Sequence, residues 1–231
     1  MSTSQIFKLF QLVLKSRTHL LEMLSDRGYN VSDIINFTED EIKTMLYQHN
    51  LGKFETLHDI GPLDILLEKN QGTPQLEKIY VKYRLDPKFK ATTTLTTQIH
   101  DIYDTILTNK DTLIILNVGR IYDKPGVKDK VDEEYVNHLY ITKKYFVQLF
   151  GLENFLFNVS RHDFVPKHRI ISKLELQNLL TLYNCNISNL PTIKRDDPQS
   201  KYIGLKPEQV CEILVNNVTS GIAKKYRACK L

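Results

Sequence analysis

The sequence predicts two domains, an α/β unit over residues 1–158 followed by a small α+β unit over 159–231. Three observations carry this. Helical stripes alternate with short apolar runs through the first part of the chain, the pattern of helices laid on a sheet. HDFVPKH at 162–168 then interrupts that pattern. Pro166 removes a backbone donor and biases Val165 toward an extended conformation, so the segment reads as a linker or an edge. The rest of the chain holds one helical stripe and two strand-like runs of its own.

The elements follow in order. Ile6, Leu9, Phe10, Val13, Leu20, Leu21 and Leu24 recur at helical spacing and predict a helix over about residues 4–26, stopped by Gly28. Thr38 to Glu41 form a capping box, and Ile42, Met45 and Leu46 make the stripe of a short second helix. FETLH at 54–58, DILLEK at 64–69 and EKIYVKYRL at 77–85 read as strands between Gly, Pro and Asn signals. A third helix fits 95–109, with Ile99, Ile102, Tyr103, Ile106 and Leu107 on one face. TLIILNV at 112–118 has the continuous apolar character of a strand covered on both faces. Residues 139–159 read as a strand, a short helix around Tyr145 to Phe150, and a strand at NFLFNV. Ser172 and Glu175 form another capping box ahead of Leu176, Leu179, Leu180 and Tyr183. VCEILV at 210–215 and IAKKYRACK at 222–230 read as two strands joined by a turn through Thr219, Ser220 and Gly221.

Composition narrows the function classes. The chain is 42% hydrophobic and 25% charged, ordinary for a soluble globular protein, and no apolar run approaches the ~20 residues a membrane span needs. The N-terminus, MSTSQIFKLF, has no signal-peptide pattern, so an intracellular location is expected. Cys185, Cys211 and Cys229 are too few for a disulfide framework, and without a CxxC pair a zinc site lacks donors. No cofactor is expected. Residues 161–231 hold twelve Lys and Arg against six Asp and Glu, so the C-terminal part is basic while the remainder is slightly acidic. Such a surplus suits nucleic acid or an acidic protein surface, although a solvated basic face is the plainer reading.

Candidate chemistry is sparse. Pro62, Asp64 and the trio Asp86-Pro87-Lys88 faintly resemble a nuclease site, where two carboxylates hold a divalent metal and a lysine orients water. Pro87 argues against it, because proline inside the ligand-bearing strand cannot donate to a ladder. His162 and His168 flank FVPK with neither helical metal spacing nor a third ligand, which favours a surface or hydrogen-bonding role. Cys211 sits in an apolar strand and reads as core. No phosphate-binding glycine loop is present. The segment RIYDKPGVKDK at 120–130 centres on Lys124, Pro125, Gly126 and Val127, and Lys124, Lys128 and Lys130 crowd its tip. That tip either approaches phosphates without reading bases or is a solvated turn balanced by nearby Asp.

LPTIKRDDPQSKYIG at 190–204 reads as a rigid polar surface loop. Lys194 and Arg195 keep Asp196 and Asp197 ionised, which excludes a shared-proton acid pair. Pro191 and Pro198 stiffen its two ends. Charge-assisted bonding from a rigid loop suits recognition by another chain.

HDFVPKH, LLTLYN, LPTIKRDDPQSKYIGLKPEQV and TSG followed by YRAC together resemble the C-terminal domain of the fifth subunit of eukaryotic RNA polymerases, a domain to which the archaeal counterpart is similar by itself. MLSDRGYNV at 23–31 resembles the start of the eukaryotic protein's N-terminal jaw. The resemblance implies an α/β jaw, nuclease-like in fold but inactive, lying beside downstream DNA. It implies a small α+β assembly domain that docks on the largest subunit, and no catalysis. Residue by residue it assigns His162, Pro166, His168, Pro191, Arg195, Asp197, Pro198, Tyr202, Gly204, Tyr226 and Arg227, along with Gly221, to shaping or contacting the dock. Arg195 is its charged anchor and Tyr202 its aromatic one, while Gly204 is equally read as supplying a backbone conformation. Lys124, Pro125 and Lys128 lie where the jaw faces DNA, although they do not match the family's residues there.

Departures accompany the resemblance. Relatives carry a basic residue and a glycine where this chain has Pro207 and Glu208, and basic residues where it has Glu212 and Val215. Asn216 and Asn217 replace a charged turn. These changes weaken the basic character of one sheet edge and imply a co-adapted partner. Two other function classes stay open at this point, a metal-dependent nuclease on the jaw fold and an adaptor that reuses the assembly domain. A cellular member is expected in the nucleus, and a viral one in the cytoplasm or the virion. The excess of lysine over arginine fits an A/T-rich genome.

Overall fold

The structure is a computed structural model that describes residues 3–34, 37–48, 61–69, 77–85, 93–118, 128–217 and 221–231. The strand expected at 54–58, the trio Asp86-Pro87-Lys88 and the turn carrying Lys124 and Pro125 lie outside the described residues. The chain divides into two compact units, Met1–Phe157 and Asn158–Leu231.

The first unit contains α1 (Thr3–Asp26), α2 (Glu39–Gln48), β1 (Ile65–Glu68), β2 (Lys78–Arg84), α3 (Thr93–Thr105), β3 (Thr112–Asn117), α4 (Lys128–Lys143) and β4 (Phe146–Gly151). Its sheet has the order β1-β2-β3-β4. β1 runs antiparallel to β2, whereas β2, β3 and β4 are parallel. Parallel neighbours need crossovers, and α3 and α4 supply them. Both helices cover one face, where Ile99, Ile102, Tyr103, Val136 and Leu139 pack on Tyr80, Leu113, Ile115 and Val147. The residue just beyond α1 reaches the other face, for Arg27 Nη2 donates to Gln148 Oε1 at 2.9 Å. With both faces covered, Leu113, Ile114, Ile115 and Leu116 are all buried, each removing roughly 1.5–3 kcal/mol worth of apolar surface from water. Buried Asp111 closes the start of the sheet. Its Oδ1 accepts from the Lys78 amide at 2.7 Å and its Oδ2 from the Thr108 amide at 2.6 Å.

The structure corrects the reading of residues 139–159. α4 continues through Lys143 and is ended by Lys144 in the left-handed conformation, φ 61°. The expected short helix around Tyr145 to Phe150 is strand β4, and the expected strand at 154–159 begins within a 3-10 turn, Leu152–Phe155. A short, mostly apolar run such as YFVQLF has no periodicity that separates strand from buried helix, so pairing with β3 decides it.

The second unit contains β5 (Lys167–Ile170), α5 (Lys173–Tyr183), β6 (Thr192–Lys194), α6 (Pro198–Ile203), β7 (Val210–Asn217) and β8 (Gly221–Lys230). Its sheet has the order β5-β7-β8-β6, antiparallel except for β6 alongside β8. α5 carries the predicted capping box, with the Glu175 amide donating to Ser172 Oγ and the Ser172 amide to Glu175 Oε2. Leu176 and Leu179 of α5 pack against Ile171, Val210 and Ala228 on one sheet face. Tyr183, expected on that stripe, is instead 61% exposed at the C-terminal end of the helix. Ile193, Ile203 and Leu205 cover the opposite face at Cys211, Ile213 and Cys229.

The segment 190–204 is therefore a strand, a turn and a helix where a surface loop was expected. An aspartate followed by a proline is both a turn signal and a helix start, because proline at the first helical position gives up an N–H that has no intrahelical partner. The helix wins here because Ile203 and Leu205 have a sheet face to cover.

Candidate functional site

Residues of the HDFVPKH and LPTIKRDDPQSKYIG motifs build a small support structure. Asp197 caps α6, its Oδ1 accepting from the Gln199 amide at 2.9 Å and the Ser200 amide at 3.4 Å. Pro198 occupies the first helical turn and Gly204 ends the helix with φ 70°, a conformation that favours glycine. The Pro191 carbonyl accepts from the Ala228 amide at 2.8 Å and ties β6 to β8. Arg195 is 3% exposed and its amide donates to the Lys230 carbonyl at 2.8 Å. It shapes the turn from within the protein and does not project as an exposed anchor. Tyr202 is half-buried, its hydroxyl accepting from Asn158 Nδ2 at 3.0 Å, while Ser160 Oγ meets Gln199 Oε1 at 3.0 Å. These two bonds lash α6 to the entry of the unit.

His162 and His168 hold backbone and do not converge. His162 Nδ1 accepts from the Phe164 amide at 3.3 Å, and the Val165 amide donates to the His162 carbonyl at 2.9 Å. His168 Nδ1 lies 2.7 Å from the Pro166 carbonyl, so that nitrogen carries a proton. The turn between them presents Phe164, 90% exposed, to solvent. Phe164 is not among the residues the sequence singles out. An apolar residue beside Pro166 in a motif of histidines was the available signal, since large exposed aromatics concentrate at recognition surfaces.

Tyr226 belongs to a charged row across the sheet. Arg169, Glu212 and Tyr226 sit opposite one another on β5, β7 and β8. Buried Glu212 accepts from Arg169 Nε at 2.8 Å and the Tyr226 hydroxyl at 2.9 Å, and pairs with Lys224 Nζ at 3.3 Å. Burial pushes the Glu212 carboxyl up, but these hydrogen bonds outweigh it and hold the group below its ordinary range. Arg169 also meets Glu175 at 2.9 Å. Bonds from the Ser172 backbone and then Arg169 lower Glu175 to about 2. Glu212 and its partners thus form an internally neutralised cluster. Arg227 stays exposed, with Nη1 3.3 Å from the Thr192 carbonyl. Gly221 opens β8 with φ 69°, and nothing lies within 4 Å of where a Cβ would stand.

In the first unit Asp64, the carboxylate of the nuclease-like reading, is fully engaged. Its Oδ2 lies 2.7 Å from Lys82 Nζ and accepts from Tyr80 Oη at 3.0 Å, while its Oδ1 accepts from the Tyr83 amide at 2.9 Å. Among the described residues no group of three His, Cys, Asp or Glu could hold a metal. The thiols of Cys211 and Cys229 are buried, and burial pushes Cys229 up to about 12. No helix of the described residues is long and apolar enough to cross a membrane. Lys128 is the first residue of α4, and its side chain is not among those described.

Comparison with known proteins identifies this arrangement. The family model described as RNA polymerase Rpb5, C-terminal domain, matches residues 157–229. DNA-directed RNA polymerase subunit Rpo5 of Thermococcus onnurineus is 42% identical over 71 residues, 31% of this chain and 87% of that protein. The chain belongs to the RNA polymerase Rpb5 family. It is a structural RNA polymerase subunit, and other subunits of such a polymerase are its partners. The Dictyostelium discoideum protein named DNA-directed RNA polymerases I, II, and III subunit rpabc1 is 27% identical over 219 residues, 94% of this chain and 96% of that one. The second unit of this polymerase subunit is thereby an α+β domain of the Rpb5 C-terminal type.

Proposed function

We propose that this polymerase subunit is non-catalytic, that residues 159–231 form an assembly domain docking on the largest subunit, and that residues 1–158 form a jaw of nuclease-like fold beside downstream DNA. The observation that carries the assembly role is the 42% identity to an archaeal subunit over 71 residues, nearly the whole of that protein. A relative little longer than the assembly domain supports placing attachment within it. In this reading Asp197, Pro198, Gly204 and Pro191 keep the scaffold. Phe164, His162, Pro166, His168, Tyr202, Tyr226 and Arg227 supply the docking surface or its immediate support, and Arg195 braces it from inside. Asp64 satisfied by Lys82 supports an inactive jaw, since a carboxylate held by an ammonium at 2.7 Å has little left for a metal. A nuclear location accords with a cellular member of the family.

The test is recovery of the tagged full chain from its native source, with partners identified by mass spectrometry. The largest polymerase subunit is expected in stoichiometric amount, and Phe164→Ala is expected to lower its recovery while leaving the chain folded. Recovery of the chain without polymerase subunits overturns the docking. For the jaw, neutralising Lys124 and Lys128 is expected to make the salt dependence of DNA retention shallower, and an unchanged slope removes these lysines from DNA contact.

A further inference from the structure

β8 is a long strand with an incomplete neighbour. Over its length from Gly221 to Ala228 it pairs with β7, but on its other side β6 pairs only with residues 228–230. The Ala228 amide points to that side, since it donates to the Pro191 carbonyl, and the Lys230 carbonyl does too, since it accepts from Arg195. Alternation along the strand turns the N–H and C=O groups of Ile222, Lys224 and Tyr226 the same way. No strand of the described residues pairs with that stretch. An open row of backbone donors and acceptors in line with an existing short strand is a template for one more.

The side chains along this edge state what fits it. Ile222 is 70% exposed, and Lys224, Lys225 and Arg227 are exposed as well. Lys224 and Ile222 lie on one face of the sheet, Lys225 and Arg227 on the other. A second copy of this chain is a poor occupant. Antiparallel self-pairing centred on Lys224 sets Lys224 against Lys224, and parallel pairing sets the lysines of both copies side by side. An acidic strand instead meets a cation on each face, with an apolar residue beside Ile222. Glu212 lies on the face of Lys224 and is committed to Arg169, Tyr226 and Lys224, so it does not reach Lys225 and Arg227 on the other face.

We propose that the open edge of β8 at residues 222–226 receives an extended, acidic segment of another polymerase subunit, which extends the sheet beside β6. The inference rests on the reading of this chain as a polymerase subunit. It gives the exposed cations of β8 a role, since they line the strand where the partner's backbone pairs.

The experiment is amide hydrogen exchange with residue resolution on the full chain, free and within polymerase recovered from the native source. The amides of Ile222, Lys224 and Tyr226 are expected to slow at least about tenfold on assembly. Two full-length variants accompany it. Lys224→Pro removes one outward N–H and spares the β7 ladder, whereas Lys224→Ala removes the charge and keeps the N–H. Polymerase recovery is expected to fall about tenfold with Lys224→Pro and about threefold with Lys224→Ala, which keeps the N–H and loses one cation. If wild-type chain brings down polymerase yet these three amides exchange as fast as in the free chain, the edge is not used and the inference fails alone. If no polymerase subunit is recovered, the underlying reading fails with it. Protection of the same amides in the free chain, together with dimerisation by size-exclusion chromatography, makes the occupant a second copy and overturns the acidic partner. Where Lys224→Pro does not fold, the exchange measurement decides by itself.

Discussion

Lys82 Nζ lies 2.7 Å from Asp64 Oδ2, and both side chains are 1% exposed. The pair joins the residue just before β1 to the middle of β2, inside a unit whose core is otherwise mostly apolar. Two charges withdrawn from water this far are tolerated only because the carboxylate is saturated, with Gly61, Tyr80 and Tyr83 as its further donors.

Removing one partner strands the other. Lys82→Met is expected to destabilise the first unit by about 3–5 kcal/mol, the range for an unpaired buried charge. Adding Asp64→Asn should regain about half of that loss, because the amide keeps an acceptor for the Tyr83 N–H without the charge. Urea unfolding followed by tyrosine fluorescence reads both. Equal stability of the single and double variants would show that the charge itself is not the cost.

The Arg169 network makes the second unit acid-sensitive. Glu175 and Glu212 both have folded-state carboxyls below the ordinary 4.5, Glu175 at about 2. A depressed carboxyl stabilises the fold above its unfolded value and loses that contribution as pH falls through the folded one. Stability should therefore drop between about pH 4.5 and 2. Arg169→Ala should flatten that drop while lowering stability at neutral pH. Urea midpoints measured across this pH range decide the matter.

Asp197 and Gly204 act on the free chain. Asp197→Ala is expected to cost about 1 kcal/mol through loss of the α6 cap. Gly204→Ala is expected to cost about 1–2 kcal/mol, the strain of a Cβ at φ 70°. Both losses should appear in thermal unfolding without any partner. Full stability combined with loss of polymerase binding would move these residues from the scaffold to the contact surface.

Glu208 stands at a position where backbone geometry favours glycine. It stands third in a turn from Lys206 to Gln209, closed by the Gln209 amide on the Lys206 carbonyl at 3.1 Å, and it has φ 72°. Pro207 is well placed ahead of it, but a left-handed third position suits glycine. Glu208→Gly should stabilise the second unit by about 0.5–1 kcal/mol, the left-handed strain less the entropy glycine loses on folding. An unchanged urea midpoint would show that the strain is already relieved at this site.

Much of the fold was legible because local chemistry and tertiary context agree in it. Helices α1, α2, α3 and α5 follow from their stripes, with capping boxes at α2 and α5, and β2, β3, β7 and β8 from strand-like runs bounded by turn residues. Where the two disagree, sequence alone misleads. YFVQLF carries no period, and only β3 alongside makes it a strand. Asp197-Pro198 carries two local meanings, and only the sheet face beneath Ile203 and Leu205 selects the helix.

The candidate site divides in the same way. The ordered motifs of the second unit were sufficient to place the chain among RNA polymerase subunits, because those residues are spaced by the fold they build. Tertiary structure alone decided which of them face outward. Arg195 reads as a surface cation and is buried, while Phe164 is apolar and stands in solvent. Glu212 reads as a lost basic position and proves to be the acceptor that Arg169, Tyr226 and Lys224 share. Exposure and pairing depend on which strands become neighbours, and residues 43 positions apart such as Arg169 and Glu212 meet only after the sheet has formed.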